Sequence, residues 1–240
     1  MPDHDWDISP QEAMALQARL AERVRIEPLR GPVRTVAGVD CAYLGAGPPW
    51  AQPTDRRVVA VAVLLDADSM ATLATACVVR PSAFPYVPGL LSFREAPAVI
   101  EAVGKLPERP DLLMCDGQGI AHPRRLGLAA HVGLWCDLST IGVAKSRLCG
   151  RHRAPGRRRG CRTQLRLDDA DAGARGQLVG AVVRTRTGVK PLVVSPGHRA
   201  SIDDAVRWTL RCGRGVRLPE PTRRAHHHVS REKRRRGGQP

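Results

Sequence analysis

The chain has 240 residues and a mass of 26.0 kDa, with 42% hydrophobic but only 3% aromatic residues, so a single domain with a core of Val, Leu, Ala and Ile is expected. Its formal charge of +15 is confined: eight arginines and no acid lie between Arg147 and Arg166, seven Arg or Lys and one acid, Glu232, between Arg223 and Arg236, and the rest carries 23 bases and 22 acids. That distribution suits a polyanion meeting a localised patch, with a solvated charge run as the alternative for the tail. The acidic, non-apolar start argues against a secretory signal, and no stretch is long and apolar enough for a membrane span. Seven cysteines, odd in number and with no C-x-x-C pair, argue against a disulfide framework or zinc site and for a reduced, cytoplasmic protein with no membrane partner.

A first amphipathic helix is expected over 9–25, with Ser9 as N-cap before Pro10. Three strands follow at 33–44, 58–66 and 71–79, the last two joined closely enough for a hairpin. Then come a proline-rich loop, a helix near 96–105, a strand at 112–116, a helix near 125–135 and a strand at 140–144. A three-strand meander followed by β–α–β predicts an α/β fold with a mixed sheet and helices on its faces. The segment 150–176, rich in Arg, Gly and Asp, reads as an exposed loop. Strands at 176–185 and 191–195 form a hairpin around Gly188, and Ser201 with Asp203 and Asp204 opens a helix through Arg211. Residues 1–223 read as one domain, and 224–240 as a basic, disordered tail in which His226 to His228 are solvated.

Chemistry is expected where acids lie inside or at the end of apolar strands. Asp40, inside "VAGVDCAYL", needs a partner or a cation if buried, and Asp116 closes "LLMCDG". If these strands are neighbours, the carboxylates meet and repel unless a divalent metal neutralises them. Either acid alone reads equally well as an ordinary strand-end residue. Glu95 fits a capping box with Ser92, but Pro97 favours a helix starting near 94–96, which would leave Glu95 free as a third oxygen ligand. Lys145 follows the strand "TIGVA", which delivers its ammonium to the same sheet end as Asp116; His122 and His198 are the remaining candidates.

Five motifs, "AGVD", "PYVPGLLSFRE", "DGQGIAHPRRLG", "TIGVAKSRL" and "SPGHR", closing with "RLPEPTR", together resemble the endonuclease V family from about Val33 to Arg223. The resemblance implies a ribonuclease-H-like fold, with Asp40, Glu95 and Asp116 as metal-binding acids and Lys145 and His198 as catalytic lysine and histidine. It implies that Pro85, Tyr86, Val87 and Pro88 form a wedge filling the space of an extruded base. The base itself would enter a pocket at Leu91, Gly117, Gly127 and Leu128, with His122 close by. Pro123, Arg124 and Arg125 would open a helix whose N-terminus favours phosphate. After "LPEPTR" the chain departs from the family's usual aliphatic and acidic helical end.

The function this implies is Mg²⁺- or Mn²⁺-dependent hydrolysis of DNA containing deoxyinosine, by a monomer, at the second phosphodiester bond 3′ to the lesion, leaving 3′-hydroxyl and 5′-phosphate ends. The alternatives are an inosine-specific ribonuclease acting on single-stranded RNA, another ribonuclease-H-like nuclease, and a non-catalytic nucleic-acid-binding protein.

Overall fold

The computed structural model describes residues 4–45, 57–168 and 176–237. Its centre is an eight-stranded mixed sheet built from β1 (Thr35–Leu44), β2 (Arg57–Asp66), β3 (Thr72–Pro81), β4 (Leu112–Cys115), β5 (Thr140–Ala144), β6 (Arg162–Leu167), β7 (Gln177–Val183) and β8 (Leu192–Pro196). The strand order is β3-β2-β1-β4-β5-β8-β7-β6. β1, β4 and β5 run parallel, and every other pair is antiparallel. The meander and β–α–β expected from the sequence are both present, in the ribonuclease-H-like arrangement.

The apolar runs explain why the sheet is covered on both sides. In β2, Val59, Val61, Val63 and Leu65 point to one face, and Val58, Ala60, Ala62 and Leu64 to the other; all are buried. The first set packs under α4 (Ile202–Arg211) and α5 (Glu220–Gly237), through Ala205, Trp208, Ala225 and Val229. The second packs under α2 (Leu91–Gly104) and α3 (Leu128–Cys136), through Ala98, Val99, Ala102, Ala129 and Val132. A further cluster joins α1 (Pro10–Ala21) to Phe84, Leu90 and Phe93, beneath the loop that precedes α2.

Helix starts follow local chemistry where a cap exists. Ser9 with Glu12, and Ser201 with Asp204, form complete capping boxes at α1 and α4. Three expectations are corrected. α2 begins at Leu91, several residues before 96, and Pro97 sits inside it; Ser92 is helical and its hydroxyl pairs with His131, so it caps nothing. Leu90 provides no side-chain cap, and tertiary burial of Phe93, Ala96 and Val99 overrides the proline signal. α3 begins at Leu128, not at 125: Arg125 has φ +59°, a left-handed conformation that ends a turn rather than opening a helix. The segment 150–176, expected as a loop, contains β6, which pairs with β7 at the sheet edge and with Arg151 through an isolated bridge; residues 169–175 of it lie outside the described residues.

The fourth correction is the largest. The tail expected to be disordered is α5, helical from Glu220 through Gly237 across the boundary drawn at residue 223; only 238–240 lie outside the described residues. Pro221, Thr222, Ala225 and Val229 are buried at helical spacing and seat α5 on β1 and β2. Gly38 makes this approach possible, because a Cβ there would lie 2.1 Å from the Pro221 carbonyl carbon.

Candidate active site

Parallel pairing of β1 and β4 in the register Val39↔Cys115 places the next residues, Asp40 within β1 and Asp116 just past the C-terminal end of β4, side by side. Alternation then sets their direction. Val36 and Met114 belong to the cluster under α5, so Asp40 and Asp116, an even number of residues on, point to that face too. There α5 delivers His226: its Nδ1 lies 2.7 Å from Asp40 Oδ2, and ligand atoms of Asp40, Asp116 and His226 all fall within 4.8 Å of one another. Lys145, one residue beyond β5, pairs its ammonium with Asp116 Oδ2.

Glu95 arrives from the opposite face on α2. Tyr43, pointing to that face, donates its hydroxyl to Glu95 Oε1 at 2.8 Å. Burial pushes the Glu95 carboxyl up to about 7, with the charges of Asp40 and Asp116 adding to the rise and the Tyr43 hydroxyl and Arg94 opposing it. Burial also raises Asp40, and the Asp116 charge raises it further, against His226, Lys145 and the Cys41 N–H. Burial and neighbouring negative charge oppose ionisation of Glu95 and Asp40, and with Asp116 and the imidazole of His226 they form an oxygen-rich donor set that a divalent cation fits and would relieve.

Beside the acids lies a cavity of about 430 Å³. Its walls include every residue assigned to base binding from the sequence: Pro85, Tyr86, Val87, Pro88, Leu91, Gly117, His122, Gly127 and Leu128, together with Asp116 and Lys145. Tyr86 is 45% exposed, and the Arg94 guanidinium lies 5.8 Å from its ring and 4.4 Å from that of Tyr43. The loop carrying Tyr86 is pinned at one atom: the Gly89 carbonyl accepts from Gln17 Nε2 (3.1 Å), His122 Nε2 (2.9 Å) and Arg124 Nη2 (3.2 Å). With Nε2 donating, His122 Nδ1 accepts from the Arg124 N–H at 3.1 Å. Burial, then the Arg124 charge, lowers His122 to about 4, so it stays a neutral brace. Arg124 is therefore turned inward and Arg125 is bonded to Gln177, so neither arginine forms the helix-start phosphate site expected at 123–125.

His198 lies apart from the acids. It follows β8, which runs antiparallel to β5, so it falls at the Thr140 end of β5. Lys145 lies beyond the other end, about 16 Å of strand away. There the Thr140 N–H donates to the His198 carbonyl at 2.8 Å, and His198 Nδ1 accepts from the Arg25 N–H at 3.2 Å. Burial and the Arg199 charge lower its pKa, which suits a structural imidazole. Sequence reasoning missed His226, Tyr43, Arg94 and Gln17. The signal for His226 was present: Ala225 and Val229, four apart after "EPTR", mark a buried helical stripe beside it.

The Endonuclease V family profile matches residues 18–227. The chain is 47% identical over 237 residues to the endonuclease V of Geotalea uraniireducens (strain Rf4), covering 98% of this chain and 94% of that one. The crystal structure of endonuclease V from Streptomyces avermitilis is similar with a TM-score of 0.84 and 42% identity, over 96% of both chains. That of Ciona intestinalis endonuclease V, in complex with a 24mer DNA containing an inosine followed by a ribo-adenosine, shares the fold with a TM-score of 0.75 and 22% identity, over 94% of this chain and 97% of that one.

Proposed function

The chain belongs to the endonuclease V family, and from that membership and the arrangement of its acids we propose that it finds deoxyinosine in DNA and hydrolyses the second phosphodiester bond on its 3′ side, leaving 3′-hydroxyl and 5′-phosphate ends. It is an endonuclease of a metal-dependent family. The finer reading is carried by one observation: Asp116, whose carboxylate meets Asp40 and His226 within 4.8 Å, also lines a cavity large enough for a base.

Asp40, Glu95 and Asp116 would hold the cation, Mg²⁺ or Mn²⁺. When bound, it supplies Lewis acidity toward the scissile phosphate and the attacking water. His226 donates Nδ1–H to the Asp40 carboxylate, so Nε2 carries the lone pair that takes a proton from that water. Lys145 exchanges its Asp116 partner for the phosphate and balances charge there. Tyr86, braced by Arg94 and by the pinned Gly89 loop, stacks in the gap left by the extruded base. Gly117, where a Cβ would meet nothing closer than Leu128 at 3.5 Å, leaves main chain open toward the base.

The test is cleavage of a labelled strand carrying one inosine, with Mg²⁺ and with chelator, beside an undamaged control. A metal-dependent nick only in the inosine strand, on its 3′ side, is expected; binding without any nick overturns the reading. The ribo-adenosine that follows inosine in the Ciona complex makes an inosine-specific ribonuclease the second reading, and an inosine-containing RNA arm separates the two.

A further inference from the structure

We propose that the exposed basic face of α5 carries the DNA strand on the 3′ side of the scissile bond, an inference that rests on the deoxyinosine reading above. The base cavity opens on the α2 and α3 side of the sheet, toward Lys145 beyond β5. α5 lies on the other face and leaves the acids in the other lateral direction. From His226 at Asp40 it crosses β1 and β2, and the charges of Glu232, Arg235 and Arg236 reach the Cys77 thiol on β3. With the base in the cavity and the cut two bonds to its 3′ side, nucleotides beyond the cut emerge over α5.

The helix is equipped for that role. Arg223 and Arg224 are bound to Glu220, and Arg235 and Arg236 to Glu232, whereas Arg231, Lys233 and Arg234 have no carboxylate partner among the described residues. His227, Arg231 and Arg234, spaced i, i+4, i+7, form one exposed stripe. A shallow hollow lined by His226, Ser230, Arg231 and Arg234 runs along that stripe to His226, which is bonded to Asp40. From His226 to Arg234 the helix rises about 12 Å, the axial length of roughly three to four nucleotides of one B-form strand. Arg231 and Arg234, one turn apart and without a carboxylate between them, carry like charge on one face, which a phosphate backbone would neutralise.

The experiment uses the full chain and 5′-labelled inosine strands whose 3′ flank either ends just past the cut or extends beyond the length of α5; flanks on the 5′ side are varied in parallel. For the wild type, KM falls as the 3′ flank lengthens. The variant Arg231→Gln/Lys233→Gln/Arg234→Gln loses that dependence and raises KM on the long strand about ten-fold. It also flattens the log–log salt dependence by about 2, with the effect of the 5′ flank retained. Arg231→Lys/Arg234→Lys, which keeps the charge, restores wild-type behaviour and excludes misfolding as the cause. A triple variant that keeps the 3′-flank dependence, or that loses the 5′ dependence in its place, overturns the α5 inference while metal-dependent nicking leaves the nuclease reading standing. Absence of nicking by the wild type overturns both.

Discussion

His226 spends its Nδ1 on a carboxylate at the reaction centre, whereas His198 spends its own on the Arg25 backbone. Replacing His226 by Ala is expected to lower kcat about 10²–10⁴-fold with little change in Tm, while His198→Ala lowers Tm and leaves kcat near wild type. Single-turnover cleavage and thermal melts, run together, check both halves. Asp40→Ala should abolish cleavage and leave inosine-strand binding largely intact; equal loss of both would count against a metal-ligand role. Glu95 adds a pH dependence. Its carboxyl, ordinarily near 4.5, is pushed up to about 7 in the fold, so it favours folding below 4.5, and that contribution is lost as pH rises through 7. In chelator, Glu95→Gln is therefore expected to stabilise the fold above pH 7 by on the order of 3 kcal/mol, seen as a higher Tm, and to change nothing near pH 4. Melts across that range decide it; a uniform shift at every pH would refute the assignment.

α5 is the element whose role sequence reading did not reach. Seven bases in fourteen residues swamp the composition, and a stretch so charged reads as solvated unless the buried stripe of Ala225 and Val229 is weighed against it. The helix is stable because its first turns are sheltered: Val229 alone, once buried, contributes about 1.5–3 kcal/mol. Gly38 tests this seating. Gly38→Ala would force its Cβ into Pro221, and overpacking of this kind costs about 1–3 kcal/mol. The expected result is a lower Tm together with a kcat loss larger than stability explains, because moving α5 withdraws His226; a lowered Tm with unchanged kcat would show the helix to be merely structural. β6 was hidden for a similar reason. It is an edge strand in which only Leu165 is fully buried, so its apolar alternation is weak.

For the molecule as a whole, two neutral buried histidines add to its sensitivity to acid. His131 is lowered to about 3 by burial and the neighbouring His4, and His122 to about 4 by burial and Arg124. Both titrate near 6.5 when unfolded, so their contribution is complete above that pH and is shed as pH falls toward 4 and then 3. Tm is expected to fall steadily below pH 6.5, and His131→Leu to flatten that limb although it loses the Ser92 hydrogen bond; an unchanged slope would assign the acid sensitivity elsewhere.

The amino-acid sequence by itself determined the mixed sheet, because runs such as "VVAVAVLLD" bury both faces of a strand and demand helices on each side. It also pointed to where the acids stand, since Asp40 lies within one apolar strand, Asp116 closes the next, and parallel pairing of the two sets them side by side. The histidine was decided only by tertiary structure. "SPGHR" and "AHHHV" are equally plausible as text, but β8 runs antiparallel to β5 and carries His198 to the far edge of the sheet. α5, closing over Gly38, brings His226 to a carboxylate 186 positions earlier in the chain. A local stripe such as Ala225 and Val229 marks which face of a helix is buried, but strand direction and the partner that face meets are properties of the packed chain.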